Sequence, residues 1–215
     1  MRKPRVLMAD DHSLILAGLR KLVEGECDVV GTVEDGRALV EAAQKLRPDL
    51  ILLDISMPLL NGLEAARQLT KLVPESKLIF LTMHASPTYA TEAFQSGASG
   101  YLLKRSAASE LSLAIRSVLQ GKHYLTPSLT KDVLDSILKP STGARGKVAA
   151  AALTARQREV LQLVAEGRGT KQIAAILNVS VKTVEFHKSR IMQQLDIHTT
   201  ADLTKYAITH GITGL

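Results

Sequence analysis

Three aspartates set the chemical question. Asp10 and Asp11 follow the apolar run Val6 to Ala9, and Asp54 follows Leu50 to Leu53. If those runs are neighbouring strands, carboxylates from distant positions meet at one rim. Crowded negative charge of that kind is costly unless a cation binds. Mg²⁺ suits such a set, because it takes oxygen ligands and keeps room for a phosphate oxygen. Thr82 follows Leu78 to Leu81, and Lys104 follows Tyr101 to Leu103. A hydroxyl and an ammonium at the same rim would hold the oxygens of a phosphoryl group. A carboxylate can then act as nucleophile toward phosphorus, with metal and lysine spreading the developing charge.

That convergence requires a particular scaffold. Short apolar runs at 6–9, 29–33, 50–53, 78–81 and 101–103 alternate with amphipathic stretches, such as Leu39, Ala42, Ala43 and Leu46. Breaks fall at Pro48, Pro58, Asn61-Gly62, Pro74, Pro87, Gly97 and Gly100. This alternation predicts βαβ units and a parallel sheet with helices on both faces. Five strands in about 120 residues suit a flavodoxin-like α/β fold of order 2-1-3-4-5, which places ligands outside the carboxyl ends of strands 1 and 3.

The pattern changes after Gly121. Residues 122–148 read as a linker, with a short helical stretch around Leu129, Val133, Leu134 and Ile137 before Pro140 to Lys147, which has little to bury. Residues 149–215 predict an all-helical unit. Thr154 to Gln157 is a capping-box pattern, a second helix starts near Thr170, and Ser180 is the N-cap of a third. In that third helix Val184, Ile191 and Leu195 share one side.

Charge follows the same division. The chain of 215 residues has 27 Lys and Arg against 21 Asp and Glu, a net of +6. Residues 1–121 are balanced, whereas 122–148 and 149–215 each carry +3. A basic segment suits phosphate backbones. The longest apolar runs, such as Leu14 to Leu19, reach six residues, far below the roughly twenty that span a bilayer. Cys27 is the one cysteine, so no intrachain disulfide can form, and a reducing cytoplasmic setting is expected.

The motifs match a known family. Asp10-Asp11, Leu53 to Pro58, Asn61-Gly62, Thr82 and Gly100 to Lys104 resemble the receiver domain of bacterial two-component response regulators. The resemblance implies that Asp54 accepts a phosphoryl group from a phosphohistidine on a sensor kinase. It assigns Mg²⁺ to Asp10, Asp11, Asp54 and the backbone carbonyl of Ser56. Lys104 and Thr82 would contact the phosphate, and Tyr101 would change rotamer with Thr82. Beyond magnesium-assisted self-phosphorylation and self-dephosphorylation, no enzymatic turnover is expected. A phosphatase of small esters would want a second acid two residues after the nucleophile, where this chain has Ser56.

Leu153 to Leu161, Lys171 to Ala174, Val181 to His187 and Ile191 to Leu195 resemble the LuxR-type helix-turn-helix, so the whole chain looks like a NarL/FixJ-type transcription regulator. The second helix of such a motif enters the major groove. Lys182, Glu185, Phe186, Ser189 and Gln193 would face DNA there. Lys171, Lys182, Lys188 and Arg190 would meet phosphates, with Thr183 as a hydroxyl donor. The resemblance implies double-stranded promoter DNA as a partner and a homodimer on phosphorylation, the last helix supplying Ala201, Lys205 and Ile208 to the contact. The alternative is a receiver whose helical output acts through protein contacts alone.

Overall fold

The computed structural model describes residues 2–138 and 153–213. The chain divides into two compact units, Met1–Pro140 and Ser141–Leu215. The predicted linker core at 140–147 lies outside the described residues.

In the first unit, strands β1 (Arg5–Ala9), β2 (Asp28–Val33), β3 (Leu50–Leu53), β4 (Lys77–Thr82) and β5 (Gly100–Leu103) alternate with helices α1 (Ser13–Val23), α2 (Gly36–Leu46), α3 (Gly62–Leu72), α4 (Pro87–Gln95) and α5 (Ala107–Leu119). All pairings are parallel. Alternate residues of each strand serve opposite faces. Leu7, Ile51, Phe80 and Tyr101 join one buried cluster with residues of α2, α3 and α4, whereas Val6, Met8, Leu52, Ile79 and Leu102 join a second with α1 and α5. Burial on both faces explains why these strands read as continuous apolar runs.

The sheet has six strands, not five, in the order β2-β1-β3-β4-β5-β6. The added strand β6 (Tyr124–Leu125) pairs with β5, Gly100 opposite Tyr124 and Tyr101 opposite Leu125. Helix α6 (Pro127–Leu138) follows, and its Leu129 and Val133 are buried in the cluster with α4. Residues 122–138, assigned to the linker from composition, are therefore part of the first unit. Thr126 stitches the junction: its N–H donates to Tyr101 O at 3.0 Å and its Oγ1 accepts from Leu103 N at 3.2 Å.

Side chains at loop ends start the helices. Asp35 accepts from the backbone N–H of Arg37 and Ala38, and Asn61 from that of Glu64. Gly62 admits a close approach at the site, since a Cβ there would lie 1.9 Å from the carbonyl oxygen of Asp54.

The second unit comprises α7 (Ala155–Ala165), α8 (Thr170–Leu177), α9 (Val181–Leu195) and α10 (Thr200–Thr209). The Thr154–Gln157 capping box is formed, and Ser180 Oγ accepts from Thr183 N. Val160, Leu161, Ile173, Val184, Ile191, Leu203 and Ala207 are buried. Leu195, expected on the packed side of α9, is half-buried. Among the described residues no helix is long and apolar enough to cross a membrane.

Candidate phosphoacceptor site and DNA-facing helix

Strand register builds the site. Ala9 lies opposite Leu53, so Asp10 and Asp54 leave the sheet side by side. Thr82 lies opposite Leu103, which sets Lys104 at the same rim. Lys104 Nζ is 2.7 Å from Asp10 Oδ2 and 2.8 Å from Asp54 Oδ2, tying the two carboxylates together. The remaining oxygens are held by backbone: Asp10 Oδ1 accepts from His12 N at 3.0 Å and Asp54 Oδ1 from Ile55 N at 2.6 Å. Asp10, Asp54 and Thr82 are buried, whereas Asp11 is exposed.

The charges are strained accordingly. Burial pushes the Asp10 carboxyl above the ordinary carboxylate range, against the opposing pull of Lys104 and the His12 N–H. For Lys104 burial works against the charge, yet the two carboxylates outweigh it and hold the ammonium above the usual lysine value. Burial thus disfavours the Asp10 carboxylate more than Lys104 and the His12 N–H stabilise it.

Sequence reasoning missed two neighbours, both histidines. His12 Nδ1 lies 2.7 Å from Asp11 Oδ1 and 3.3 Å from Asp10 Oδ1, and these three residues form a group able to hold a metal. His84 Nε2 shares a 2.9 Å hydrogen bond with Ser56 Oγ, and its carbonyl accepts from the Tyr101 hydroxyl at 2.7 Å. The phenol is fully buried, and that burial pushes it far above the usual tyrosine value. Residue type and spacing flag neither residue, because each acts through a loop contact.

On α9, Lys182, Glu185, Phe186, Ser189, Arg190 and Gln193 are exposed, as is Lys171 on α8. The Arg190 guanidinium lies 5.5 Å from the centre of the Phe186 ring, an arrangement suited to cation–π attraction. Some candidates are engaged within the unit, Arg190 Nη1 donating to Gln193 Oε1 at 3.4 Å among them. The Thr183 hydroxyl shares a 2.8 Å hydrogen bond with Ser180 Oγ, and Lys188 Nζ donates to Thr200 Oγ1 at 2.9 Å.

A doubly wound domain with a buried acid pair bridged by lysine, followed by a helix-turn-helix unit, defines a response regulator. Residues 6–116 match the response regulator receiver domain, and residues 151–207 match the bacterial regulatory proteins of the luxR family. The chain belongs to the response regulators of the NarL/FixJ type, DNA-binding regulators of transcription. It is 37% identical to the oxygen regulatory protein NreC of Staphylococcus epidermidis, over 95% of this chain and 96% of that one. It is 34% identical to the response regulator UvrY of Escherichia coli, over 96% and 94%. The response regulator RcsB of Salmonella typhimurium, solved in work on conformational dynamism for DNA interaction, superimposes with a TM-score of 0.65 at 29% identity, all of both chains covered. Another RcsB structure, of two dimers bound to two parallel DNAs, gives 0.59 at 28% identity, covering 95% of this chain and 98% of that one.

Proposed function

We propose that Asp54 is the phosphoacceptor, receiving a phosphoryl group from a phosphohistidine of a sensor kinase, and that this controls promoter binding by the second unit. One observation carries the assignment: Lys104 Nζ bridges Asp54 and Asp10 at the carboxyl rim of the sheet. Asp54 supplies the attacking oxygen, the bond from phosphorus to the donor breaks, and the donor leaves with that bond's electrons. Lys104 faces the developing charge on the phosphoryl oxygens, and the Thr82 hydroxyl is the nearby neutral donor. The donor set fits Mg²⁺: Asp10, Asp11, Asp54 and the Ser56 carbonyl are all hard oxygens, and the two buried carboxylates of Asp10 and Asp54 share a single ammonium. When bound, the ion supplies positive charge against the phosphoryl oxygens. The chain's own covalent chemistry is confined to gaining this group and losing it to water.

In the second unit, Lys171, Lys182 and Arg190 serve as phosphate contacts, and Glu185, Phe186, Ser189 and Gln193 face the bases. Dimerisation on phosphorylation, with Ala201, Lys205 and Ile208 of α10 in the contact, would match two-fold half-sites.

Intact mass after incubation with acetyl phosphate and Mg²⁺ tests the first step. One phosphoryl adduct is expected on the wild type and none on Asp54→Asn or after chelation. An adduct that persists in Asp54→Asn overturns the assignment. DNA selection from a random pool, with and without beryllium fluoride, tests the second. Failure to enrich any sequence would favour output through protein contacts.

A further inference from the structure

Base edges in the major groove present nitrogen and oxygen acceptors, amino donors and one apolar group, the C5-methyl of thymine. The exposed side of α9 is mostly polar. Lys182, Glu185, Ser189 and Gln193 can each be satisfied by a phosphate, a base edge or water. Phe186 cannot. It is 56% exposed, and among the described residues of the second unit the other exposed large apolar side chain is Val181, 37% exposed at the first position of the helix.

Two neighbours hold the Phe186 ring on the surface. The Arg190 guanidinium, one turn further along, lies 5.5 Å from the ring centre, a cation–π arrangement. The His187 ring meets it edge-on, with centroids 5.7 Å apart and planes 67° apart. Val184 and Ile191 occupy the buried side of α9, so the phenyl ring stays outside the core of the unit. An apolar ring is thus displayed at a fixed place on a helix that otherwise shows polar groups.

We propose that Phe186 is a specificity-determining residue for thymine, whose C5-methyl group it covers in the major groove. The inference rests on the reading of α9 as the DNA-facing helix. It adds which chemical feature of the base sequence this chain demands. A phenyl ring neither donates nor accepts a hydrogen bond. A base edge that presents only polar atoms to it would lose water and gain no partner, whereas thymine brings a methyl group into contact.

The test removes methyl groups from the DNA one at a time. Full-length protein with Mg²⁺ and beryllium fluoride first selects a duplex from a random pool. Each thymine of that duplex is then replaced singly by deoxyuridine, which deletes the methyl and keeps every hydrogen-bonding group. Fluorescence anisotropy is expected to show a loss of about fourfold at one thymine per half-site, the worth of one buried CH₂-sized group. Phe186→Ala should bind the thymine and deoxyuridine duplexes alike, and Phe186→Leu, still apolar, should keep part of the difference. 5-Methylcytosine at that position should bind the wild type more tightly than cytosine does, and Phe186→Ala equally. Because Phe186 is exposed and uncharged, Phe186→Ala should keep the wild-type thermal midpoint and the wild-type slope of log affinity against log salt. A selected duplex whose affinity ignores every methyl would overturn the proposal. So would methyl dependence that persists unchanged in Phe186→Ala. In both cases DNA is still bound, so the DNA-facing reading of α9 survives. Failure to select any DNA would instead overturn that reading, and this inference with it.

Discussion

Replacing Lys104 by methionine removes one cation from between two buried carboxylates while roughly keeping the side-chain length. The Lys104 side chain is 7% exposed, and those of Asp10 and Asp54 are 2% and 5% exposed. Breaking a buried ion pair by deleting one partner costs roughly 3–5 kcal/mol. Here each carboxylate keeps a backbone N–H on its other oxygen, from His12 and from Ile55. The lower end is therefore expected, about 3 kcal/mol, or on the order of 10 °C in the Tm of a unit this size. The pH dependence has a definite sign. Burial already raises the folded Asp10 carboxyl, and losing Lys104 removes the interactions that pull it down. A carboxyl raised in the folded state favours folding most at pH below its unfolded value, and that contribution is lost as pH rises through its folded value. The deficit of Lys104→Met should thus be largest at neutral pH and shrink on acidification, as Asp10 takes up a proton. Mg²⁺ should stabilise the variant more than the wild type, because it replaces the missing positive charge. Calorimetry of the full-length protein across pH, with and without Mg²⁺, reads all three effects. A loss below about 1 kcal/mol that ignores both pH and Mg²⁺ would refute the reasoning, since it would mean the acid pair is solvated rather than held by Lys104.

Three further outcomes follow from other parts of the chain. Gly62→Ala should destabilise the first unit by about 3 kcal/mol and weaken Mg²⁺ binding, because its Cβ would lie 1.9 Å from the Asp54 carbonyl oxygen, displacing the acceptor; urea unfolding and a Mg²⁺ titration check this. Ser180→Ala should cost the second unit about 1 kcal/mol by uncapping α9, read as a lower thermal midpoint and weaker DNA retention. Lys182→Ala should weaken binding to all DNA sequences alike and reduce the slope of log affinity against log salt by about one, measured by fluorescence anisotropy; a change in sequence preference instead would make Lys182 a base reader.

The acid pair was legible because it depends on strand ends. Once β1, β3, β4 and β5 are recognised as apolar runs, Asp10, Asp54, Thr82 and Lys104 are forced to one rim by register. The helix starts at Thr154 and Ser180 were legible for a similar reason, since capping uses fixed short offsets. Strand β6 was not, because two residues paired through their backbones leave no periodic signal. Helix α6 was half legible. Its Leu129 and Val133 spacing suggested a helix, but nothing in spacing alone says that the apolar side meets α4. His84 and Ser56 were invisible as a pair for another reason. They lie 28 residues apart on separate loops, and only the folded sheet brings them to hydrogen-bonding distance.

The pairing of β5 with β6 also decides where this protein can be cut. A fragment ending at Gly121, the boundary that composition suggests, would strip the outer neighbour from β5 and leave a row of unpaired backbone N–H and C=O groups beside Tyr101. It would also bare the apolar surface that Leu129 and Val133 cover. An open strand edge beside fresh apolar surface is a template for intermolecular pairing. Such a fragment should self-associate by strand addition, and any dimer it forms would report the scissors rather than the signal. A fragment that runs through Leu138 keeps the edge closed.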